Sequence, residues 1–349
     1  MTTATLSTFG RWWWRLAVLV VLGGCAASAG PLPAVRDIVD GRARFRQIYC
    51  GVRNDHGATL SNDRPCDAAL VRLTDEPASV AKPVPAPAPR FKIVVVPGIL
   101  GECIIGTVSP FEDALAHLRT HGYATDVIRV GGLSSSAQNA ATIRDFIVRL
   151  PATDPRLLVV GYSKGTSDTL EALVRYRADL VPRVAAVVTV AGVVGGSPVA
   201  DSLGPLYNAL LCHLSIAPCG VGDNGGVDSL RPEVRRKFLD EHPLPREVKY
   251  FSVAGVSRAE ETSFPLLPTQ RQLSAIDPQN DGQVILKDAI VPGGTVLAAV
   301  RADHWAIALP FTLKTPALAA TVVEHNAFPR EVLLEAIVRF VEESFGDTR

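Results

Sequence analysis

The chain has 349 residues, of which 47% are hydrophobic and 20% charged. This composition is sufficient for a large hydrophobic core and differs from that of a disordered protein. Because the formal net charge is zero, no overall electrostatic field would attract nucleic acid or another polyanion. The sequence contains nothing that resembles a helix-turn-helix, a zinc knuckle or a basic stripe, so nucleic-acid binding is not expected.

The N-terminus has the pattern of an export signal. Two arginines precede the apolar run 16–22, which is too short for a membrane anchor, since a spanning helix needs about 20 residues. Small residues then lead to Cys25 in a pattern that resembles the lipobox of bacterial lipoproteins. The resemblance implies that residues 1–24 are removed and that a lipid on Cys25 anchors the protein in the cell envelope, in the outer membrane if the source is Gram-negative. The alternative is an ordinary secretory signal that is cut a few residues later and releases a secreted protein.

Export would place the other cysteines in an oxidising compartment, where disulfides form. The simplest connectivity pairs Cys50 with Cys66 and Cys212 with Cys219, which leaves Cys103 as a free thiol. No two cysteines have CxxC spacing and the histidines are scattered along the sequence, so no metal site is expected.

Three segments follow the signal. Residues 25–81 form a polar, irregular N-terminal extension with a short helix expected over 67–73. The proline-rich stretch 82–90 predicts a stiff, extended linker. The remainder, 91–349, is predicted to be the main domain.

Apolar runs and helical patterns alternate through the main domain. Strands are predicted over 91–101, 123–130, 156–163, 183–192, 247–255 and 294–301. Helices are predicted over 111–122 and 137–150, after Ser163, and over 329–345. Alternation of this kind indicates a mostly parallel sheet in a three-layer α/β domain.

A long excursion, residues 193–246, interrupts the alternation of strands and helices and is expected to form a cap over the carboxyl edge of the sheet. Its apolar stretch 203–214 would either line an acyl-binding pocket or form a buried structural helix.

The segment GYSKG, residues 161–165, fits the pattern G-x-S-x-G between a predicted strand and a predicted helix. A plain βα turn that happens to contain serine is one interpretation, and a nucleophile elbow around Ser163 is the other. A serine hydroxyl needs a base to take its proton, so a carboxylate and a histidine should follow it in the chain. Asp281, in an Asn-Asp-Gly turn, and His304, beyond the last predicted strand, are the candidates.

Two other aspartates compete with Asp281 for the role of the acid. Asp303 adjoins His304, but neighbours on an extended segment point in opposite directions. Asp288 enters an apolar stretch without a turn to present it. Asp281 is therefore the preferred acid.

An oxyanion hole would complete such a site. Gly98, at the end of the first core strand, allows the backbone to turn so that the Ile99 N–H faces the serine, and the Lys164 N–H would be the second donor. The Lys164 side chain either points to solvent, which is the preferred expectation, or favours anionic substrates.

These motifs together resemble the α/β-hydrolase superfamily, and within it the bacterial secreted lipases and esterases. The stretches that carry the resemblance are VPGILG (96–101), GYSKG (161–165), NDGQV (280–284) and ADHW (302–305). The first is also similar to the corresponding loop of the lecithin–cholesterol acyltransferase group. The resemblance implies an α/β-hydrolase fold with a cap, no cofactor, and an acyl-enzyme mechanism. In that mechanism Ser163 is the nucleophile, His304 the general base and then acid, and Asp281 the residue that orients the histidine.

The expected activity is hydrolysis of carboxylic esters, with lipids or other apolar small-molecule esters as substrates. The same three residues would also suit thioesters, amides or polyesters. A catalytically silent envelope-binding protein with the same fold is the alternative from another functional class, although such proteins are expected to lose a member of the triad.

Overall fold

The computed structural model of the protein describes residues 30–99, 108–202, 222–314, 316 and 327–346. The strands are β1 (Val39–Asp40), β2 (Leu70–Val71), β3 (Lys92–Val96), β4 (Thr125–Val127), β5 (Leu157–Tyr162), β6 (Val184–Val190), β7 (Lys249–Gly255) and β8 (Thr295–Val300). The helices are α1 (Arg42–His56), α2 (Cys66–Ala69), α3 (Glu112–Thr120), α4 (Ser136–Arg149), α5 (Lys164–Arg175), α6 (Arg177–Leu180), α7 (Pro232–Glu241), α8 (Leu267–Ser274), α9 (Phe311–Lys314) and α10 (Arg330–Gly346). Short 3₁₀ turns cover Gly57–Thr59, Asp228–Leu230, Ala259–Glu261, Phe264–Leu266 and Leu286–Ala289.

The strands form one mostly parallel sheet in the order β1–β8–β7–β6–β5–β3–β4. Every neighbouring pair in that order is parallel, and β2 pairs with β8 in the antiparallel direction. All residues of β6 are buried, as expected of a strand covered on both faces. The predicted three-layer α/β architecture is confirmed.

Helices cover both faces of the sheet. Apolar side chains of α1, α3 and α10 pack on one face, in a core that includes Ile48, Leu118 and Ile337. Side chains of α4 and α5, such as Ile143 and Leu173, pack on the other face. This arrangement leaves the loops at the carboxyl ends of the strands free to carry a site.

The N-terminal extension contributes strands to the sheet. β1 pairs with the beginning of β8, where Val39 lies opposite Thr295, and β2 pairs with its end, where Leu70 lies opposite Val300. The helix expected over 67–73 is only one turn long, because the chain continues directly from α2 into β2. Similarly, the strand expected over 123–130 is limited to the three residues of β4.

Helix α1 and the linker hold the extension against α10. The ring of Phe45 lies 6.2 Å from that of Phe340, and a disulfide joins Cys50 in α1 to Cys66 in α2, as predicted. The linker 82–90 has no regular secondary structure, and the N–H groups of its Ala88 and Arg90 donate to the carboxylate of Glu342 in α10 at 3.1 and 3.3 Å.

Several sequence expectations fall on residues outside the described ranges. These are the signal segment with Cys25, the free thiol at Cys103, the Cys212–Cys219 pair and the apolar stretch 203–214. Among the helices that are described, none has both the length and the apolar character needed to cross a membrane.

Candidate active site

Ser163 lies at the sharp turn between β5 and α5, with φ of 53° and ψ of −125°. A positive φ is strained for a residue with a side chain, so the surroundings must hold it. The Ser163 N–H donates to the Val190 carbonyl at 3.2 Å, and the Ser163 carbonyl accepts from the Thr166 and Val193 N–H groups at 3.1 Å. The turn is therefore fixed by hydrogen bonds from two neighbouring segments.

Glycines on both sides of Ser163 allow this turn to form. A Cβ atom at Gly165 would lie 2.1 Å from the Val96 carbonyl oxygen, and one at Gly161 would lie 2.8 Å from Thr166 Cα. Both contacts are with backbone atoms, which cannot move aside as a flexible side chain can. The G-x-S-x-G pattern thus corresponds to a tight strand–turn–helix crossing, as a nucleophile elbow requires.

His304 joins Ser163 to Asp281 through its two ring nitrogens. Its Nε2 lies 2.8 Å from Ser163 Oγ, and its Nδ1 lies 2.8 Å from Asp281 Oδ2. All three side chains are buried. The structure therefore brings the serine, histidine and aspartate that the sequence pattern selected into one continuous hydrogen-bonded line.

The loop that carries Asp281 orients its carboxylate. Oδ1 accepts hydrogen bonds from the Gln283 and Val284 N–H groups at 2.9 and 2.7 Å, which leaves Oδ2 to face the histidine. Gly282 has φ of 92°, a conformation that the tight turn needs and that glycine adopts without strain. The His304 N–H donates to the Asp281 carbonyl at 2.8 Å, so backbone and side chain both fix the pair.

The competing aspartates have other partners. Asp303 Oδ2 accepts from the Ser263 N–H and hydroxyl at 2.7 and 2.5 Å, and Oδ1 accepts from the Trp305 and Ala306 N–H groups at 2.9 and 2.7 Å. Burial raises the pKa of Asp303, although these hydrogen bonds act in the opposite direction. Asp288 contacts the ammonium of the adjacent lysine at 2.9 Å. Asp303 thus braces the loop around His304, and Asp288 lies on a different turn.

Tyr162 contacts His304 and helps to fix its position. Its hydroxyl donates to the His304 carbonyl at 2.6 Å, and the two rings lie 5.3 Å apart. Burial, together with the nearby negative charges of Asp281 and Asp303, raises the pKa of Tyr162 well above its ordinary value. The hydroxyl is therefore protonated at neutral pH and remains a donor.

The two residues expected to supply the oxyanion donors adjoin Ser163 or line its cavity. Ile99 lines the same cavity as Ser163 and His304. Lys164 is the first residue of α5, and the N–H groups of the first helical turn have no acceptor within the helix. The partial positive charge of the helix N-terminus adds to the attraction for an anion at this point.

The side chain of Lys164 does not point to solvent, so that expectation was wrong. It is 1% exposed, and its Nζ lies 2.7 and 2.9 Å from the two carboxylate oxygens of Asp168, one turn further along α5. Asn139 in α4 also donates to Asp168, at 2.7 Å. A buried ion pair therefore lies directly behind the elbow and links α5 to α4.

A cavity of about 320 Å³ opens beside Ser163. It is mainly apolar, and its walls are Ile99, Ser163, Val193, Ser197, Val199, Ala200, Val227, Leu230, Pro265, Leu266, Thr269, Gln283, His304 and Trp305. Six of these residues belong to the excursion 193–246, which was expected to overhang the serine. Pro265 and Leu266 belong to a 3₁₀ turn that no sequence motif indicated.

A larger groove of about 1050 Å³ lies beside Asp40 and Asp240. Ser163, Asp281 and His304 do not line it.

The described residues offer one group of side chains that could hold a metal ion, and it is not at this site. It consists of His56, His121 and Glu335, on helices α1, α3 and α10 or at their ends. Histidines that are scattered along the sequence thus converge in the fold.

Comparison with solved structures identifies the family. A metagenomic carboxyl esterase is 42% identical to this chain, over 91% of this chain and 97% of the esterase, with a TM-score of 0.85. This chain belongs to the same α/β-hydrolase family as that esterase. Lipase 1 from Pelosinus fermentans, at 13% identity, has the same α/β-hydrolase fold over 75% of this chain and all of the lipase, with a TM-score of 0.53. Neither a protein-family model nor a curated protein matches the chain.

Proposed function

We propose that this α/β-hydrolase is an exported serine esterase that cleaves carboxylic esters through an acyl-enzyme intermediate. The observation that carries the proposal is the line of hydrogen bonds from Asp281 through His304 to Ser163, which ends at an apolar cavity. The 42% identity to a carboxyl esterase supports the same class of substrate.

In the first half of the reaction, His304 Nε2 takes the hydroxyl proton as Ser163 Oγ attacks the ester carbonyl carbon. Negative charge develops on the carbonyl oxygen, where the N–H groups of Ile99 and Lys164 stabilise it. Asp281 keeps the proton of His304 on Nδ1 and stabilises the imidazolium. When the tetrahedral intermediate collapses, His304 protonates the departing alkoxide, and the acyl group remains on Ser163.

In the second half, a water molecule attacks the acyl carbonyl carbon while His304 takes one of its protons. The Ser163–acyl bond breaks as His304 returns the proton to Ser163 Oγ, which releases the carboxylic acid. The same oxyanion donors act in both halves, because the charge develops on the same oxygen.

The cavity beside Ser163 favours short apolar acyl groups. Its volume of about 320 Å³ is near the lower limit of ligand pockets, which are about 300–1,000 Å³. With p-nitrophenyl esters of increasing acyl length, we expect kcat/KM for the butyrate to exceed that for the palmitate at least about 10-fold. A higher kcat/KM for the palmitate would assign the protein to the long-chain lipases instead.

Labelling with a fluorophosphonate tests the serine mechanism directly. The wild-type protein should be labelled, and Ser163→Ala should lose the label while its circular dichroism spectrum is unchanged. Ser197→Ala is the matched control, because Ser197 lines the same cavity and donates its hydroxyl hydrogen to the Gln283 carbonyl. A folded wild-type protein that takes no label would instead be a silent binding protein with this fold.

The proposed location is the cell envelope, through a lipid on Cys25. The basic and apolar N-terminal pattern supports export, and the disulfide between Cys50 and Cys66 suits an oxidising compartment. The mature protein should partition into detergent, and Cys25→Ser should stay in the aqueous phase. A wild-type protein found entirely in the aqueous phase would exclude the lipid anchor and leave the esterase mechanism unaffected.

A further inference from the structure

Three histidines converge on one buried carboxylate where the N-terminal extension meets the hydrolase domain. His56 ends α1, His117 lies in α3, and His121 directly follows α3. All three face Glu335 in α10, whose side chain is only 1% exposed. The three imidazole rings lie 4.8 to 5.8 Å apart between centroids. We call these four residues the histidine cluster.

The distances in the histidine cluster suit a shared ion better than separate hydrogen bonds. His117 Nε2 lies 2.6 Å from Glu335 Oε2, a hydrogen bond. The Nε2 atoms of His56 and His121 lie 3.6 and 4.0 Å from the carboxylate, which is too long for a hydrogen bond. The ligand atoms of His56, His121 and Glu335 all lie within 4.8 Å of one another. In a tetrahedral zinc site with bonds of about 2.0–2.1 Å, ligand atoms are about 3.4 Å apart.

Arg339 orients the carboxylate through Oε1, the oxygen that also lies 3.6 Å from His56 Nε2. It donates to Glu335 Oε1, and its other terminal nitrogen donates to the Pro85 carbonyl at 3.1 Å. This leaves Oε2 directed at His117 and His121. Such a partner behind a carboxylate ligand is the arrangement that fixes ligands in metal sites.

We propose that the histidine cluster binds one divalent transition-metal ion of the zinc type. The imidazole nitrogens of His56 and His121 and a carboxylate oxygen of Glu335 are donors that zinc prefers. The hydrogen bond between His117 and Glu335 would orient the carboxylate. None of the four residues lines the cavity beside Ser163. The ion would therefore be structural, and it would tie α1 to α3 and α10.

Zinc titration of the full mature protein, free of any histidine tag and stripped with a chelator, tests this site. Isothermal titration calorimetry should give one ion per chain. At a free zinc concentration of about 100 times the Kd, the Tm should rise by about 4 °C. Cobalt(II) in the same site should show the visible absorption of a tetrahedral ion.

The double variant His56→Gln/His121→Gln removes two ligands and keeps polar side chains of similar size. Zinc affinity should fall at least about 100-fold, because even the loss of an outer partner of a ligand costs about 10- to 100-fold. His242→Gln, which replaces an exposed histidine at the end of α7, is the matched control and should bind zinc as the wild type does. Ester hydrolysis should be unchanged in the double variant.

Two results would overturn the site. The first is a wild-type protein that takes up no zinc at micromolar concentration. The second is equal affinity in the wild type and the double variant, which would place the ion on other residues, such as the histidine of the active site.

Discussion

The candidate active site and the histidine cluster each contain a short histidine–carboxylate contact, 2.8 Å between His304 and Asp281 and 2.6 Å between His117 and Glu335. In the active site the second ring nitrogen of the histidine reaches a serine that opens to a cavity. In the cluster, two further imidazoles face the same carboxylate. The contact alone therefore does not define the chemistry. A nucleophile on the second nitrogen suits proton transfer, whereas additional imidazoles suit ligand binding.

The largest expected difference between the two regions appears when each histidine is removed in turn. His304→Ala should lower kcat for p-nitrophenyl butyrate by about 10⁵- to 10⁶-fold, because no other base reaches Ser163 Oγ among the described residues. His117→Ala should leave kcat within a few-fold of the wild type. If both variants were folded and equally inactive, the cluster would have to take part in catalysis.

The acid gives the next largest expected effect. Asp281→Asn should lower kcat by about 10³- to 10⁴-fold, since the amide would favour the wrong tautomer of His304 and would not stabilise its charged form. Asp288→Asn is the matched control and should have nearly wild-type activity. Asp303→Asn should reduce stability more than kcat, because its carboxylate accepts hydrogen bonds from Ser263 and from the backbone after His304. An inactive Asp288→Asn beside an active Asp281→Asn would reassign the acid.

The buried ion pair behind the elbow has a smaller effect, on stability. Among the described residues, Lys164→Met leaves Asn139 as the one side chain that donates a hydrogen bond to the buried Asp168, so the free energy of unfolding should fall by about 3–5 kcal/mol. Lys164→Met/Asp168→Leu should recover most of this loss, because an apolar pair avoids the cost of an unpaired charge. Urea unfolding of both variants measures the difference. Equal stability of the single variant and the wild type would show that the ion pair does not stabilise the fold.

The disulfide near the histidine cluster should have the smallest effect. Its cysteines are 16 residues apart in sequence. Removing a disulfide that closes a loop of about that size lowers the free energy of unfolding by about 3 kcal/mol. Cys50→Ser/Cys66→Ser should therefore be less stable and keep its kcat. Because Cys50 and His56 share α1, zinc affinity should also fall in this variant. A lower kcat with unchanged zinc affinity would contradict this prediction, because it would connect the disulfide to the candidate active site and not to the histidine cluster.

The sequence predicts the strands of the sheet that consist of continuous apolar runs, such as β5 and β6, because burial on both faces leaves a clear pattern. It also selects Ser163, Asp281 and His304, since each lies in a recognisable turn or just after a strand. β1 and β2 were not predicted. Each has only two residues, which is too short for any periodicity, and each depends on β8 for its partner.

The partners of buried polar side chains were also not predicted from the sequence. Lysine side chains are usually exposed, and it is the packing of α5 on α4 that brings Asn139 to the Lys164–Asp168 pair. His117 and His121 are four residues apart, a spacing that could have drawn attention to them. His56 and Glu335 lie on helices that are distant in sequence, so their place in the histidine cluster is visible only in the fold.

Strand β8 ends just before the loop with His304, and its outer side is occupied by β1 and β2. A chain shortened to begin at Phe91 would leave that side as a bare row of N–H and C=O groups on an otherwise apolar strand. Open edges of this kind pair with other molecules and lead to aggregation. The segment before the proline-rich linker thus covers the sheet edge. A hydrolase domain cut at the linker would expose the backbone groups of β8 along that edge.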